Sequence, residues 1–184
     1  MKEIAQALRG LCMKDTLEES SVIDSPESLQ KIQNSSLFQG VSAELLEPMF
    51  SKARRIVLRQ GSILLAPGKI NENVYVIIEG RMSVQVTPSS SEKPLAIISE
   101  GECVGEMSVL VDGLVSAYVI AVSDCELYSI DYGSFWSMID GSNEAARNML
   151  NILVYRIRLG NESIADSFLH RDDPAESDII DRLT

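Results

Sequence analysis

The sequence predicts a mainly β protein of the α+β class, in which a double-stranded β-helix (a jelly roll, or β-roll) lies between N-terminal helices and a long C-terminal helix. From residue 53 to residue 130 the apolar residues come in short runs at strand-like spacing, and glycines separate the runs. On both sides of this region the apolar spacing is helical. Many short strands with glycine corners and no long helix between them are typical of an antiparallel barrel or jelly roll.

The first 36 residues are predicted to be a helical segment. Apolar residues recur at helical spacing at Ile4, Leu8, Leu11 and Cys12. A polar, acidic break is expected over residues 16–24, and Ser25, Pro26 and Glu27 then have the form of a helix start that should fade near Asn34. A turn at residues 37–41 and a short helix capped by Ser42 lead into the strands.

The strand region contains seven short apolar runs and a regular spacing of glycines. The runs are residues 55–58, 62–65, 73–78, 82–87, 95–98, 118–122 and 125–130, and the glycines are Gly61, Gly68, Gly80, Gly101 and Gly105. Residues 88–94 are rich in proline and serine and are expected to form a hairpin loop without a function. The glycines are expected to close turns between strands.

Helical spacing returns after Ile130. Asp131 can cap a short helix, and Ser142 with Asn143 can begin a longer one, in which Gly160 is a candidate interruption. An apolar stripe on the longer helix consists of Met149, Leu150, Leu153, Val154 and Ile157. This stripe either packs on the strands or pairs with the same helix of a second copy. We favour a homodimer, because the stripe is longer than a small barrel can cover.

Composition narrows the classes of function. The formal net charge of −11 over 184 residues argues against a nucleic-acid partner, which would require clustered Lys and Arg. No apolar run approaches the ~20 residues of a membrane span, and the N-terminus does not have the layout of a signal peptide, so a cytoplasmic location is expected. The three cysteines have no metal-site spacing, and the one histidine, His170, lies in a polar stretch. We therefore expect no catalytic residues, no metal and no cofactor in this chain.

The most informative stretch is 102–119, where an apolar strand ends at Gly105 and Glu106 and one helical turn follows. Glycine allows a ligand to approach the backbone closely, and the first N–H groups of the turn are free to donate. The pattern Gly-Glu-Met-Ser, followed by Ser-Ala before the next strand, resembles the phosphate-binding cassette of the cyclic nucleotide-binding domain family. The resemblance extends over about residues 37–158. It predicts ligand contacts at Gly105, Glu106, Met107, Ser108, Ser116 and Ala117.

The resemblance also implies a role for each part of the cassette. Glu106 would accept hydrogen bonds from a ribose hydroxyl, and the N–H groups after Gly105, with Ser116 and Ala117, would contact a cyclic phosphate. The family places an arginine before the Ser-Ala pair to bind the phosphate charge, and this chain has Val115 there. Losing that charge-assisted bond corresponds to ~1.5–3 kcal/mol. An arginine from a partner helix, such as Arg156 or Arg158, is a candidate substitute.

Three interpretations of the cassette therefore remain open. The domain is a sensor that still binds a cyclic nucleotide weakly, or its pocket is re-purposed for another small molecule such as a cyclic dinucleotide. In the third interpretation the pocket is vestigial, and the domain is a dimerisation or protein-interaction module. Each one makes the chain a regulatory module that controls an attached output domain through the pairing of helices.

The last residues suggest what that output domain is. Asp181, Leu183 and Thr184 resemble the Asp-x-Leu-Thr with which a GGDEF (diguanylate cyclase) domain begins. We therefore expect residues 1–36 to be a helical segment, residues 37–158 a cyclic nucleotide-binding-like β-roll, and residues 159–184 a signalling helix that leads into a downstream diguanylate cyclase.

Overall fold

Nine strands in two antiparallel sheets form the centre of the computed structural model, which describes residues 16–21, 26–88, 94–111 and 113–169. The strands are β1 (Thr16–Ser21), β2 (Arg54–Leu58), β3 (Ile63–Leu65), β4 (Asn73–Glu79), β5 (Arg81–Gln85), β6 (Ala96–Ser99), β7 (Cys103–Val104), β8 (Tyr118–Ala121) and β9 (Cys125–Asp131). One sheet has the order β1-β2-β9-β4-β7 and the other β3-β8-β5-β6. The predicted jelly roll with flanking helices is confirmed.

Strand β4 shows how the sequence specifies two apolar layers. Alternate side chains of a strand point to opposite faces of the sheet. Val74, Val76 and Ile78 face the helices, and Tyr75 and Ile77 face the second sheet. All five are buried, so β4 reads as a continuous apolar run rather than as an alternating one.

Five helices surround the sheets. They are α1 (Pro26–Gln33), α2 (Ala43–Phe50), α3 (Glu106–Leu110), α4 (Tyr132–Gly141) and α5 (Asn143–Leu169). Helix α1 begins at Pro26, as the Ser-Pro-Glu pattern predicts. Helix α5 continues through Gly160 without the interruption considered above.

Helix α5 is fastened at its start to the turn that precedes α2. The Ser142 hydroxyl accepts a hydrogen bond from the Ala145 N–H at 3.2 Å. The Asn148 side-chain amide donates to the carbonyl oxygens of Leu37 and Gln39, at 3.1 and 2.8 Å. Since both acceptors belong to a turn that packs on the sheet, the first two turns of α5 are held against the β-roll.

The N-terminal region differs from the sequence prediction at one place. Residues 16–21, expected to be a polar break, form strand β1, which pairs antiparallel with β2 at the edge of the larger sheet. An edge strand joins through backbone hydrogen bonds and needs no apolar face, so its sequence carries little signal. The helix predicted over the first residues and the diguanylate cyclase resemblance at Asp181, Leu183 and Thr184 lie outside the described residues.

The pair of Arg55 on β2 and Glu126 on β9 gives the domain one acid-sensitive contact. Arg55 donates from Nε and Nη2 to the two carboxylate oxygens of Glu126, at 2.8 and 2.7 Å. These hydrogen bonds, which outweigh the effect of burial, hold the pKa of the Glu126 carboxyl below its ordinary value. When the pKa of a carboxyl is lower in the folded state than in the unfolded state, its ionised form stabilises the fold. This stabilisation is complete above the unfolded-state pKa, and it is lost as the pH falls through the folded-state pKa.

We therefore expect Glu126→Gln to lower the free energy of unfolding at neutral pH by up to about 1 kcal/mol. The difference from wild type should shrink as the pH falls through the depressed folded-state pKa of Glu126, and it should vanish in more strongly acidic solution, where both states are protonated. Urea unfolding at neutral and acidic pH measures it, with the exposed Glu47→Gln as the control. A difference that persists in acid would contradict an electrostatic origin.

Candidate functional site

The cassette turn between β7 and α3 depends on glycine at position 105. Gly105 has a φ of +89°, in the left-handed region that other residues rarely adopt. A Cβ atom there would lie 2.7 Å from the carbonyl oxygen of Asn73 and 3.0 Å from the side-chain nitrogen of Asn71. The strand can therefore turn into α3 at this point only without a side chain.

A buried amide holds this turn in place. The side-chain nitrogen of Asn71 donates to the Asn73 carbonyl at 2.8 Å, to the Gly105 carbonyl at 3.2 Å and to the Ser108 hydroxyl oxygen at 2.9 Å. The Ser108 hydroxyl in turn donates to the Gly105 carbonyl at 2.8 Å. Ser108, predicted as a ligand contact, thus has a structural role as well. Asn71 was not predicted as a site residue, because it lies 34 residues before Gly105 and no local pattern links the two positions.

All six predicted ligand contacts lie in the wall of one cavity of about 240 Å³. The cavity is lined by Leu65, Val84, Leu95, Ala96, Ile98, Val104, Gly105, Glu106, Met107, Ser108, Val115, Ser116, Ala117, Val119, Arg156, Leu159 and Gly160. The sheets supply the aliphatic walls, and α3 and the segment before β8 supply the cassette. Helix α5 closes one side.

Because position 115 is a valine instead of the arginine that the resemblance predicts, the cassette contributes no positive charge to this cavity. The Val115 side chain is only 7% exposed and packs with the apolar cluster between the two sheets. Among the residues that line the cavity, Arg156 is the one positively charged side chain. It comes from α5 and not from the cassette loop.

Arg156 contacts the cassette directly. Its Nη1 donates to Oε1 of Glu106 and its Nη2 donates to the carbonyl oxygen of Cys103. The Glu106 side chain is fully buried and that of Arg156 is 17% exposed. Arg156 was expected to reach the site only from a partner helix, but it lies in the cavity of its own chain.

Glu106 retains one unsatisfied oxygen. Its Oε2 is buried and has no hydrogen-bond partner among the described residues. Leaving a buried acceptor unpaired costs about 1–3 kcal/mol, and more when it carries charge. A hydroxyl or N–H group brought into the cavity by a ligand could satisfy this oxygen.

Cys103, which lies beside the cassette, has an unreactive thiol at neutral pH. Burial, reinforced by the negative charge of Glu106, raises the pKa of the Cys103 thiol to about 12. The thiol therefore stays protonated at neutral pH and is a poor nucleophile. In the described part of the chain, no three side chains of the His, Cys, Asp and Glu types come together as a metal site would require.

Comparison with known proteins agrees with this geometry. Residues 55–142 match the sequence model of the cyclic nucleotide-binding domain. They contain the cassette, all of strands β3 to β9 and all but the first residue of β2. This part of the chain has the β-roll fold of cyclic nucleotide-binding domains. Three similar proteins illustrate the relationship.

The cyclic AMP receptor protein of Thermus thermophilus is 29% identical over 128 residues, which cover 69% of this chain and 59% of the relative. The CRP-like cAMP-activated global transcriptional regulator of Mycobacterium tuberculosis is 24% identical over 131 residues, 71% of this chain and 58% of the relative. The first is a receptor by name and the second a transcriptional regulator. The chain thus spans less than two thirds of the length of these curated relatives.

A solved cyclic nucleotide-binding domain from Methylobacillus flagellatus superimposes with a TM-score of 0.61 at 21% identity, covering 77% of this chain and 82% of that one. This likeness shows the fold. None of these comparisons supports the predicted diguanylate cyclase. Because one relative is a transcriptional regulator, the expected absence of a nucleic-acid partner stays a prediction. Among the described helices, none is both long and apolar enough to cross a membrane.

The five residues of the predicted dimer stripe divide between two faces of α5. Met149 is buried in the core of its own chain, and Leu153 packs against the same core. Leu150, Val154 and Ile157 are 61%, 48% and 63% exposed. Of the five residues, only these last three are exposed enough to contact a second copy of the chain. The surface that could form the predicted dimer interface is therefore narrower than the five-residue stripe.

Proposed function

We propose that the chain is a regulatory sensor module, in which a small molecule in the cassette cavity controls the position of α5. The observation that supports this most directly is the contact between Arg156 of α5 and Glu106 of the cassette. Glu106 is the residue that the family resemblance assigns to ligand binding. A ligand that engages Glu106 therefore changes the environment of the residue that holds α5.

The attachment of α5 suggests which part of it responds. Asn148 fastens the start of the helix to the turn before α2, and Arg156 fastens it again two turns later. Leu159 and Gly160, just beyond Arg156, also line the cavity. We expect the mobility of the helix from about Arg156 onward to change when the cavity is filled, while the part before it is unaffected.

Pairing of α5 with the same helix of a second copy would carry the signal between chains. Leu150, Val154 and Ile157 follow one another at intervals of four and three residues, which places them in one exposed row on a helix. An exposed apolar row is a common feature of helix–helix interfaces. In this proposal the homodimer passes the change in the position of α5 to an output domain after residue 184. That this domain is a diguanylate cyclase is a prediction from three residues.

A second candidate function is a dimerisation module without a ligand. It is favoured by the fact that Glu106 already has a cation as its partner within the chain. The unsatisfied Oε2 of the same side chain favours a ligand instead. Whether filling the cavity stabilises the domain decides between the two functions.

The test is a thermal-shift panel combined with hydrogen exchange of α5. The panel contains cyclic AMP, cyclic GMP, a cyclic dinucleotide, a plain nucleotide and a neutral bicyclic alcohol, 2-naphthol. A ligand at 100 times its Kd adds about 2.7 kcal/mol of stability, which should raise the Tm by several degrees. We expect at least one compound to do so and to change the exchange of α5 amides after Arg156.

Two variants show whether the effect comes from the cavity. Ala117→Phe fills it from a half-buried wall position, and Leu114→Phe adds the same ring at a 50% exposed position outside it. The shift should be lost in the first variant and kept in the second. No shift with any compound, or a shift that leaves α5 exchange unchanged, would favour the ligand-free module.

A further inference from the structure

The walls of the cassette cavity are aliphatic. Eight Leu, Ile and Val side chains line it, together with two alanines. The eight are Leu65, Val84, Leu95, Ile98, Val104, Val115, Val119 and Leu159. A cavity of roughly 150 Å³ with such walls takes up a benzene ring. At about 240 Å³, this cavity has room for a molecule the size of two fused rings.

The charges in the wall cancel each other. Arg156 is the one cation among the lining residues and Glu106 the one anion, and the two are paired. The second guanidinium nitrogen of Arg156 is occupied by the Cys103 carbonyl. An anionic ligand would therefore leave one buried negative charge without a partner, which is strongly unfavourable.

The wider surroundings reinforce this exclusion of anions. Between Arg81 and Arg147 the sequence has one cation, Lys93, against ten Asp and Glu residues. Val115 lies where the resemblance expects a phosphate-binding arginine, and its side chain is part of the apolar wall. The cavity thus contains the cassette residues that the resemblance predicts, but its lining residues include no unpaired positive charge.

We infer that this cavity takes a neutral, mainly apolar molecule of about two fused rings that carries one hydroxyl or N–H donor for Glu106. This inference rests on the proposed function and names the class of its ligand. The donor pairs with Oε2 of Glu106, and Arg156 keeps its bond to Oε1. A ligand of this class therefore holds α5 on the β-roll instead of displacing it.

The test compares four compounds by calorimetry at neutral pH. They are 2-naphthol, which is neutral and has a donor; naphthalene, which has none; 2-naphthoate, which is an anion; and cyclic AMP. We expect 2-naphthol to bind roughly 10- to 150-fold more tightly than 2-naphthoate, the factor that corresponds to one missing charge-assisted bond. Naphthalene should bind more weakly than 2-naphthol, because it leaves Oε2 unpaired.

Substitutions that add a positive charge to the cassette should reverse the preference for neutral over anionic ligands. Val115→Arg introduces the missing cation and should make 2-naphthoate and cyclic AMP the tighter ligands. Ser116→Arg adds the charge at an exposed rim position and serves if burial of the first arginine disrupts folding. Val111→Arg, at an 81% exposed position outside the cavity, is the matched control and should leave the order unchanged.

The outcomes separate this inference from the proposed function. Equal or tighter binding of 2-naphthoate or cyclic AMP by wild type overturns the ligand class and leaves the sensor function intact. Binding of none of the four compounds overturns the ligand class, and the sensor function then depends on the panel above. An unchanged preference in both arginine variants also overturns the inference.

Discussion

Replacing Arg156 with methionine is expected to lower the free energy of unfolding of the domain by about 3–5 kcal/mol, the usual cost of leaving a buried charge without its partner. Glu106 is fully buried, and Arg156 of α5 is its ion-pair partner. Methionine retains most of the apolar stem of arginine, so the loss is electrostatic rather than a loss of packing. Urea unfolding measures the change.

A double-mutant cycle makes this prediction specific to the pair. Glu106→Gln removes the charge on the other side, and the double variant with Arg156→Met should be more stable than the sum of the two single effects by at least about 1 kcal/mol. The control is Arg158→Met, at an exposed position on the same helix. Additive effects in the cycle, or an equal cost at Arg158, would mean that the pair does not fasten α5.

The pair of Arg156 and Glu106 shows which part of the site was predictable from the sequence. The cassette residues in the cavity wall were predicted, but the neutralisation of Glu106 by Arg156 of the same chain was not. Gly105, Glu106 and the Ser116–Ala117 step follow one another in a short segment, and local backbone geometry brings them together. Arg156 is 50 residues from Glu106, and its position depends on the rotation of α5 on the β-roll. That rotation is set by tertiary packing at Met149 and by the hydrogen bonds of Asn148.

The strands were predictable for a related reason. In β4 a run of five buried residues ends at Ile78, and the turn glycine Gly80 follows two residues later. Strand β1 has the polar sequence Thr-Leu-Glu-Glu-Ser-Ser and is held at a sheet edge by its backbone. Apolar periodicity detects burial, so it finds core strands and misses edge strands.

Helix α5 shows the same limit at the level of one helix. Neighbouring residues on a helix are about 100° apart, so two adjacent apolar rows look like one wide stripe in the sequence. The row with Met149 and Leu153 faces the chain's own core, and the row with Leu150, Val154 and Ile157 faces outward. Substitution of Met149 would therefore test the folding of the domain rather than its dimerisation.

The combined substitution of Leu150 and Ile157 by glutamate is expected to convert a homodimer into a monomer. Each outward-facing side chain would contribute about 1.5–3 kcal/mol if it is fully buried between two copies, and the interface contains every position twice. Loss of even two such contributions weakens the dimer at least about 100-fold. Light scattering at micromolar concentration should show the mass of two chains for wild type and of one chain for the variant.

Two controls on the same helix decide whether this result concerns the interface. Asn151→Glu places the same charge on an exposed position outside the row and should leave the dimer intact. Met149→Ala removes a core side chain, so it should cost about 2–5 kcal/mol of stability without separating folded chains. A wild-type protein with the mass of one chain, or a double-glutamate variant with the mass of two, would exclude this row as the dimer interface. The signal would then have to leave the domain along α5 of a single chain, with Arg156 as its remaining link to the cavity.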